Sequence, residues 1–577
     1  MTAATICELW EESVRRGGTR TAFLVQEGGG WAPLTWPDAA RAVDELAAGL
    51  ASLGIGRGDR FAICSRTRVE WTLCDYALIS VGAVVVPLYP TASGADIAHI
   101  LEDSGARGAV CETPAQLARV AAAHPLEHAV VIEGAGETTL ATLREAGRHA
   151  LERDPGLVVR LRAGAAPEDE LTYIYTSGTT GVPKGCVISH GNAAALVGIV
   201  DEVDGLVVDG DVGLLYLPLA HTFARTCQFV ITAHGTLAFC ADPRALAGAM
   251  RDVRPTILPT SPRLFERVRS AIAANLAREE GAKGRLARWG ANVGAGAAGH
   301  RRAGRRLPRW LAARHAVADR LVLRKVRDRF GGRLRHAISG GAPLGHEVGE
   351  FFDGLGITIL EGYGLTECGV VSVNRPGSNR LGTIGPPLPQ TEVRIAADGE
   401  LLVQGPQVFQ GYRGLAEATE ETFTRDGWLR TGDVAELDEA GSIVLTDRKK
   451  DIIVLSGGKN VAPQKLETAL TAAPVISQAL VVGDGRAYVV ALLTVDPEHR
   501  AAGEEAVREV VERAVAEANA GLGEEERVRR FAILERELTE EAGELTPTLK
   551  LKRKLCEDRY RDEIEQLYRG AGRIVDS

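Results

Sequence analysis

The stretch "YTSGTTGVPKG", residues 175–185, decides how the rest of the chain is interpreted. It follows "LTYIY", whose alternation of apolar and polar residues predicts a strand. Its glycines allow the backbone to turn and point its amides inward, where amides and hydroxyls together can solvate phosphate oxygens. A fixed positive charge ends the run, so the pattern predicts a phosphate-binding loop. The predicted loop residues are Thr176, Ser177, Gly178, Thr179, Thr180, Gly181 and Lys184.

This loop differs from the phosphate loop of P-loop NTPases. That motif places Ser or Thr directly after its lysine, at the start of a helix, whereas Gly185 follows Lys184 here. Pro183 also keeps Val182 out of the helical region. We therefore expect the loop to close over phosphates rather than to cap a helix. Taken alone, the stretch is also compatible with a Gly/Thr-rich surface turn.

Length, charge and cysteine content narrow the class of protein. The chain has 577 residues, enough for several domains, and a net charge of -9, which gives no reason to expect nucleic acid as a partner. Its nine cysteines are scattered and odd in number, which favours reduced thiols and a cytoplasmic location. The N-terminus carries Glu8, Glu11 and Glu12 where a signal peptide needs an apolar run. The most apolar stretch, residues 76–90, is too short to span a bilayer.

The order of strand-like and helix-like segments predicts an α/β fold. "DRFAICS" and "GAVVVPLY" resemble buried strands, and "WPDAARAVDELAAGLASLGI" resembles an amphipathic helix, an alternation typical of parallel sheets covered by helices. From about Leu381 the strands become short with tight turns, which indicates an antiparallel, barrel-like section. We expect a large N-terminal domain, residues 1–449, of two stacked α/β subdomains plus a small β-barrel-like subdomain. A small, mobile α+β domain, residues 450–577, should follow.

One segment has an unusual charge. From Arg278 to Arg335 the sequence contains 17 Lys/Arg against 4 Asp/Glu, within a chain that is acidic overall. A solvated helical insertion explains such a run. The alternative is a surface for anionic lipid or another polyanion, so peripheral association with an anionic inner membrane surface is a second possibility.

Three downstream stretches narrow the ligand to a nucleotide. "SGGAPL", residues 339–344, is a glycine turn where a flat ring could approach the backbone. "EGYGLTE", residues 361–367, offers a tyrosine for stacking, a hydroxyl, and a carboxylate that could bind Mg²⁺. "GWLRTGD", residues 427–433, ends in a carboxylate suited to accept hydrogen bonds from two ribose hydroxyls. Each stretch alone is a weak signal, whereas their order along the chain is specific.

Together these motifs resemble the acyl-adenylate-forming superfamily, over residues 20–570 or so. Within it the chain is most similar to bacterial long-chain fatty acid–CoA ligases, through "LPLAHTFAR", "SGGKNVAPQKLE" and "TPTLKLKRK". The resemblance implies that ATP activates a fatty acid as acyl-AMP and that CoA then takes the acyl group. ATP, Mg²⁺ and CoA are the implied cofactor and co-substrates.

The resemblance also implies roles for individual residues. Lys550 should bridge the carboxylate and the α-phosphate, although Lys552 and Lys554 are rivals, and Thr366 should contact the α-phosphate. Glu367, together with Thr176, should hold Mg²⁺. Nucleotide contacts are expected from Gly341, Ala342, Glu361, Gly362, Tyr363, Asp433 and Arg448; acyl-pocket walls from His221, Phe223 and Gly340; and the CoA passage and hinge from Lys450, Gly457 and Gly458.

Several alternatives remain at this level. The enzyme could load a carrier protein rather than CoA, could prefer aryl or short acids, or the fold could serve as a non-catalytic binder. Two positions depart from the family pattern: Ala224 stands where long-chain relatives often have an acid, and Gln404 stands where Arg is common. The first departure leaves the chain-length preference open. The oligomeric state also stays open.

Overall fold

The structure is a computed structural model that describes residues 3–176, 182–500, 504–520, 522–546, 550–570 and 573–574. These residues form a mixed α/β protein with a large N-terminal part and a smaller C-terminal part. The α/β class predicted from the alternation of segments is confirmed.

The strands alternate with helices along most of the chain, as expected for parallel sheets. In chain order they are β1 (Thr21–Glu27), β2 (Gly30–Thr35), β3 (Arg60–Cys64), β4 (Val84–Leu88), β5 (Gly108–Cys111), β6 (His128–Val131), β7 (Thr138–Thr139), β8 (Glu170–Thr176), β9 (Lys184–Ser189), β10 (Val212–Leu215), β11 (Thr236–Phe239), β12 (Ile257–Thr260), β13 (His336–Ser339), β14 (Ile359–Leu365), β15 (Gly369–Val373), β16 (Glu392–Ile395), β17 (Glu400–Gln404), β18 (Gly411–Tyr412), β19 (Leu429–Leu437), β20 (Ile443–Arg448), β21 (Ile453–Val454), β22 (Asn460–Val461), β23 (Ile476–Val482), β24 (Val490–Val495), β25 (Arg530–Ile533) and β26 (Arg573–Ile574).

Many helices begin at a side-chain cap; Thr35, for example, accepts a hydrogen bond from the Asp38 amide at the start of the second helix. In chain order the helices are α1 (Ile6–Gly17), α2 (Trp36–Ser52), α3 (Val69–Ser80), α4 (Gly94–Ser104), α5 (Pro114–Ala123), α6 (Leu140–Arg153), α7 (Leu157–Ala163), α8 (His190–Asp201), α9 (Thr222–His234), α10 (Leu246–Val253), α11 (Pro262–Arg278), α12 (Gly281–Arg302), α13 (Arg309–Ala318), α14 (Arg324–Arg327), α15 (His346–Gly354), α16 (Ala416–Thr422), α17 (Pro463–Thr471), α18 (Pro497–Arg500), α19 (Glu504–Ala520), α20 (Arg553–Arg559) and α21 (Arg561–Arg569).

Two mainly parallel sheets form the N-terminal part. The first has the order β15-β14-β13-β12-β10-β11-β1-β2, and the second has the order β18-β9-β8-β4-β3-β5-β6-β7. Parallel pairing joins the inner strands of both, whereas β1/β2, β14/β15 and β8/β9 are antiparallel. Strand β4 reads "VVVPL" and is buried throughout, as expected for a parallel strand covered on both faces.

One hydrophobic core joins the two sheets. It contains Phe23 and Leu237 from the first sheet, Phe61 and Leu171 from the second, and residues of α1, α2, α3, α8 and α9 between them. Helix α3 is buried along nearly its whole length, which explains why its apolar residues are not confined to one side. The two α/β layers are therefore stacked, as predicted.

The antiparallel section predicted after Leu381 is present. Strands β16, β17, β19 and β20 form a sheet in the order β16-β17-β19-β20, with antiparallel pairing throughout. Its core includes Leu401, Leu429 and Ile443 and also takes in Cys186 of β9 and Cys368 beside the "EGYGLTE" motif. This packing holds the antiparallel sheet against the carboxyl edge of the parallel sheets.

The C-terminal part has a core of its own. Strands β23 and β24 form the antiparallel hairpin expected around "DGR", and β25 and β26 extend their sheet. Helices α17 and α19 cover one face of it, and their core begins at Ile453. Between the antiparallel sheet and this core lies the short turn around Lys450.

The basic segment is helical, as expected for the insertion. It comprises the end of α11, then α12, α13, a single π-helical turn at Asp319–Leu323, and α14. No helix within the described ranges combines the length and the apolar character needed to cross a bilayer. All nine cysteines are free and buried.

Candidate active site

The flanks of the glycine-rich loop form an antiparallel pair of strands. Thr176 at the end of β8 lies opposite Lys184 at the start of β9. Residues 177–181, which include the predicted Ser177, Gly178, Thr179, Thr180 and Gly181, lie outside the described residues. A strand, not a helix, follows Lys184. The expectation that this loop does not cap a helix is therefore confirmed at its flanks.

A tyrosine links the loop lysine to the predicted metal ligand. The Nζ atom of Lys184 lies 5.1 Å from the ring centroid of Tyr412, and the Tyr412 hydroxyl donates a 2.8 Å hydrogen bond to Oε1 of Glu367. Strand β18 holds Tyr412 here by pairing with β9. A cation thus lies over the Tyr412 ring and a carboxylate lies at its hydroxyl, next to the end of the loop.

The "EGYGLTE" motif forms the turn between β14 and β15. A Cβ on Gly364 would lie 2.0 Å from the carbonyl oxygen of Gly369, so only glycine fits this tight hairpin. The turn places Thr366 and Glu367 beyond the strand end, both partly exposed. It brings the predicted α-phosphate contact and the predicted metal ligand to the same edge.

Three of the predicted nucleotide residues contact one another. The Tyr363 hydroxyl donates a hydrogen bond to Oδ2 of Asp433, and Nε of Arg448 lies 3.3 Å from Oδ1 of the same carboxylate. Asp433 and Arg448 are direct partners on β19 and β20. The Asp433 side chain is largely buried, so its lone pairs are held in a fixed direction.

The Glu361 side chain holds the "SGGAPL" turn through a hydrogen bond on the buried side of that turn. Its buried carboxylate accepts a 2.8 Å hydrogen bond from the Leu344 amide, and burial raises the pKa of Glu361 to about 7. Gly341 has a φ of +87°, and both Gly341 and Ala342 are exposed. The side chain of Glu361 thus supports this turn from inside, while the Gly362 that follows is only half-buried.

The predicted acyl-pocket residues come together. His221 is the N-cap of α9, where its Nδ1 accepts a 3.2 Å hydrogen bond from the Phe223 amide. The Phe223 ring lies 3.5 Å from where a Cβ on Gly340 would stand. Burial, and secondly the charge of Lys550, lowers the pKa of His221 to about 4, so the ring is neutral at pH 7. A neutral imidazole suits the predicted role of His221 as a residue that lines the acyl pocket.

Lys550 reaches this cleft from the C-terminal part. Its electrostatic partners are Arg448, Asp433, Glu367 and Lys450. The side chain is exposed to the solvent in the open cleft, although protein atoms surround it on several sides. This crowding and the Arg448 cation lower the pKa of Lys550 to about 8. Of its rivals, Lys552 is the N-cap residue of α20 and Lys554 lies on that helix.

A buried carboxylate that the sequence analysis did not single out anchors the loop of Lys550. Glu544 accepts hydrogen bonds from Arg536, Arg559 and Tyr560 at 2.7–2.9 Å. Burial alone would raise its pKa, but these bonds outweigh burial and lower the pKa of Glu544 to about 2. The loop is closed by a bond from the Thr546 amide to the Lys550 carbonyl oxygen, 2.8 Å.

The predicted hinge lies next to a well-anchored residue. The Lys449 amide bonds the Gly432 carbonyl oxygen, and its Nζ pairs with Asp398 at 2.6 Å and with Glu400 at 3.0 Å. The Lys450 side chain is in contact with solvent. Nearby protein atoms still remove part of its hydration, and this loss together with the Arg448 charge lowers the pKa of Lys450. Lys449 is thus fixed to the antiparallel sheet, and the chain leaves that sheet directly after it.

The predicted CoA turn is exposed in this arrangement. Gly457 and Gly458 form the turn between β21 and β22, and a Cβ on either would meet no atom within 4 Å. The Ser456 amide bonds the Arg486 carbonyl oxygen, so the turn packs on the C-terminal part. Packing leaves room for a side chain at both positions, whereas the φ of +80° at Gly458 favours glycine there.

The two departures from the family pattern have different surroundings. Ala224 is fully buried in the core between the sheets, and Gln404 is exposed at the end of β17. The Ala224 side chain faces that core, and the chain-length preference stays open.

Sequence reasoning missed Tyr412 and Glu544. Tyr412 lies in "VFQGYRG", where nothing marks a tyrosine that will pair with a strand more than two hundred residues earlier. Glu544 stands in "EEAGELTPTLK", among several acids of which it alone gathers three donors from Arg536, Arg559 and Tyr560. Neither residue has a local signal.

The contacts among Tyr363, Asp433 and Arg448, together with the flanks of the glycine-rich loop at Thr176 and Lys184, are built on two stacked α/β layers and the antiparallel sheet. The sequence matches the family model "AMP-binding enzyme" over residues 10–413 and the model "AMP-binding enzyme C-terminal domain" over residues 450–572. The chain belongs to the AMP-binding enzyme family.

Curated relatives match along most of the chain. It is 40% identical over 572 residues to the long-chain-fatty-acid–CoA ligase FadD15 of Mycobacterium bovis, covering 94% of this chain and 93% of the relative. The long chain acyl-CoA synthetase 6, peroxisomal, of Arabidopsis thaliana is 31% identical, covering 93% of this chain and 82% of that protein.

Solved structures share the fold. The adenylation domain of a carboxylate reductase from Mycobacterium chelonae has a TM-score of 0.78 at 24% identity, covering 99% of this chain and 92% of that one. The corresponding domain from Segniliparus rugosus, in complex with AMP and a co-purified carboxylic acid, has a TM-score of 0.76 at 24% identity, covering 98% and 94%.

Proposed function

We propose that this chain is an ATP-dependent long-chain fatty acid–CoA ligase. The full-length similarity to fatty acid–CoA ligases supports this function over the alternatives of carrier-protein loading and of aryl or short-chain acids. The observation that carries the proposal is the position of Lys550, a C-terminal lysine whose charge acts on Glu367 and Asp433 of the N-terminal cleft. A binder of nucleotide alone would have no use for that lysine.

The first half-reaction brings an anion to a polyanion. The fatty carboxylate attacks the α-phosphorus of ATP, the bond to the β-phosphate breaks, and pyrophosphate leaves as acyl-AMP forms. The protein must neutralise charge and align the two groups. We assign Lys550 to bridge the carboxylate and the α-phosphate, Thr366 to contact the α-phosphate, and Lys184 with the loop 176–181 to hold the β- and γ-phosphates.

The nucleoside is held by the residues that already contact one another. Tyr363 offers its ring to adenine beside the exposed backbone of Gly341 and Ala342. Asp433, aligned by Tyr363 and Arg448, accepts hydrogen bonds from the ribose hydroxyls. Because these side chains are fixed before the nucleotide arrives, binding requires little reorganisation.

Mg²⁺ fits the donor set at the loop mouth. Glu367 supplies a carboxylate beside Lys184, with the Thr176 hydroxyl on the adjoining strand end. Magnesium is usually held by one or two carboxylates plus substrate phosphates, which matches a site with few protein ligands. Bound with ATP, the ion would neutralise part of the phosphate charge. Within the described residues, no group of three or more His, Cys, Asp or Glu side chains could hold a metal unaided.

The second half-reaction needs a different arrangement. The CoA thiolate attacks the acyl carbon and AMP leaves, so Lys550 must withdraw and a passage for the pantetheine arm must open. We propose that the domain formed by residues 450–577 rotates about Lys450 and brings Gly457 and Gly458 to the acyl group. The hinge assignment is supported by the anchored Lys449 and by the separate core that begins at Ile453.

Pyrophosphate exchange tests the proposal. Without CoA, labelled pyrophosphate should enter ATP when a long-chain acid is present, and with CoA the same acids should yield acyl-CoA. A panel from acetate to C20, with benzoates, defines the acid. No exchange with any acid would support a non-catalytic binder, and exchange without acyl-CoA formation would support a carrier-protein ligase.

A further inference from the structure

The basic insertion presents an exposed helical face of mixed character. Trp310 is 60% exposed, Val317 is 51% exposed and Leu321 is 41% exposed. They lie on α13 and the π-helical turn that continues it, at the spacing of one helical stripe. We call this stripe, with Arg314, Arg320 and Arg324 alongside, the α13 face.

The adjoining side of the same helix, about 100° around its axis, is an ordinary packed surface. Leu311, Ala318 and Leu323 are buried there. Leu311 and Ala318 pack with Val293 of α12 in a small core. The exposed apolar residues of the α13 face are therefore not needed for the helix to pack on the protein, since the buried side does that. Exposed Trp, Val and Leu on one face call for another explanation.

The Trp310 ring is held by its neighbours. The Arg314 guanidinium lies 5.9 Å from the Trp310 ring centroid and 6.0 Å from that of Trp289 on α12. A cation between two indoles restrains both side chains. The tryptophan thus stands on the surface beside a positive charge.

Positive charge surrounds the face. Several basic residues of the insertion are neutralised by acids within the described residues: Lys283, Arg301, Arg302, Arg327 and Arg335. Around the α13 face, the exposed residues Arg305, Arg306, Arg309, Arg320 and Arg324 form no ion pair with another described residue. The excess charge is therefore concentrated beside the apolar stripe.

We propose that the α13 face docks this protein on an anionic lipid bilayer, with Trp310, Val317 and Leu321 in the interface and the arginines on lipid phosphates. Apolar residues flanked by arginine are the composition of helices that lie in the membrane interface. A second copy of the chain that docked through the same face would present the same positive charge and be repelled. A nucleic acid backbone would use the arginines and leave the apolar stripe in water.

Vesicle co-sedimentation tests the proposal without any substrate. The full chain should bind vesicles of phosphatidylcholine mixed with phosphatidylglycerol, and bind pure phosphatidylcholine far less, with the difference shrinking as salt rises. Arg320→Gln/Arg324→Gln should lower partitioning about tenfold at low salt. The control Arg153→Gln/Arg425→Gln changes two exposed arginines elsewhere and should leave partitioning unchanged.

The apolar stripe has its own test. Trp310→Ser/Val317→Ser should lower partitioning about tenfold at low and high salt alike, because its loss is not screened. The control Val159→Ser/Leu437→Ser removes equally exposed apolar side chains and should have no effect. Brominated lipids should quench part of the tryptophan fluorescence of the wild type, and Trp310→Phe should remove that part.

Three outcomes would overturn the proposal. Equal binding to neutral and anionic vesicles would remove the charge argument. If Trp310→Ser/Val317→Ser bound vesicles as well as the wild type, the apolar side chains of the α13 face would not insert into the bilayer. Binding to duplex DNA or heparin that matches vesicle binding and survives Trp310→Ser/Val317→Ser would assign the face to a polyanion instead. Unchanged thermal unfolding and acyl-CoA formation from a soluble acid would show that each variant is folded.

Discussion

At the scale of single residues, Lys550 has the most specific proposed role. It stands in a cleft of mixed charge where Arg448 repels it and Asp433 and Glu367 attract it. The bound carboxylate and triphosphate would add further negative charge beside it. A lysine so placed stabilises the meeting of the two anions and has no equivalent task when AMP leaves.

We expect Lys550→Ala to slow acyl-AMP formation by at least about 100-fold, the usual effect of removing one preorganised donor from a reacting centre. Thioester formation from supplied acyl-AMP should stay near the wild-type rate. Pyrophosphate exchange and a single-turnover thioester assay measure the two steps. Lys552→Ala is the matched control, and near-normal exchange by Lys550→Ala would transfer the role to another lysine.

The depressed pKa of Lys550 predicts a pH dependence. Lysine is charged below its pKa, so with a pKa of about 8 in place of 10.5 the useful charge is lost as pH rises through about 8. The kcat/KM for adenylation should therefore fall above about pH 8. In Lys550→Arg the remaining activity should show no such alkaline limb, since guanidinium stays charged. If the wild type and Lys550→Arg lost kcat/KM over the same alkaline pH range, a group other than Lys550 would be responsible.

The sequence could predict the residues whose roles depend on a local motif. Lys184, Asp433 and Lys550 each stand in a short pattern, and the structure brings them to one cleft. Tyr412 could not be predicted because its partners, Lys184 and Glu367, come from distant parts of the chain. The partners of Glu544 lie within 16 residues of it, but only the folded C-terminal segment brings them to one carboxylate. A pattern shows the residue type at a position, whereas contacts such as Tyr412 to Glu367 depend on how the sheets pack.

At the scale of elements, Glu544 holds the loop that presents Lys550. Besides its side-chain bonds, its carbonyl oxygen accepts a bond from the Lys552 amide at 2.9 Å. The carboxylate therefore braces the segment on both sides of the proposed catalytic lysine. Glu544 acts through that loop and is a positioning residue.

Glu544→Gln should slow adenylation about tenfold and lower the stability of the C-terminal part by roughly 2 kcal/mol, because two arginines lose a buried charged partner. Thioester formation from supplied acyl-AMP should change little. Glu541→Gln, an exposed neighbour, is the control. A purely structural residue would slow both half-reactions together, and that result would reject the positioning role.

The sequence pattern predicted well which segments are strands and which are helices. Buried β-branched runs became parallel strands, and the short apolar runs with "DGR" became a hairpin. Sheet order did not follow from the sequence, because β1 pairs with β11 across some two hundred residues. Such long-range pairing depends on tertiary packing, which local propensity does not specify.

At the scale of the whole molecule, the two proposed half-reactions require two arrangements of the C-terminal domain. This structure has Lys550 in the cleft and the turn of Gly457 and Gly458 on the outside, which is the arrangement that the proposed role of Lys550 in adenylation requires. The second step needs the reverse. A rotation about a short hinge supplies both with few residues changing conformation.

Lys450→Pro tests the hinge. Proline fixes φ near -65°, and the backbone bonds around this turn are donated by Lys449, Asp451 and Ile452, so the substitution restricts rotation without removing one of them. We expect normal pyrophosphate exchange and a strongly slowed acyl-CoA step, at least about tenfold, with Lys450→Ala mild. Equal slowing of both steps would place the hinge elsewhere.

The central claim is that the fatty carboxylate attacks the α-phosphorus of ATP, and isotope transfer measures that step directly. The enzyme is incubated with ATP, CoA and a long-chain acid labelled with ¹⁸O in both carboxylate oxygens. Mass spectrometry then measures the ¹⁸O content of AMP and of acyl-CoA. Attack of the carboxylate on the α-phosphorus should leave one ¹⁸O in each AMP and one in each acyl-CoA. Unlabelled AMP, or ADP with label in inorganic phosphate, would contradict it.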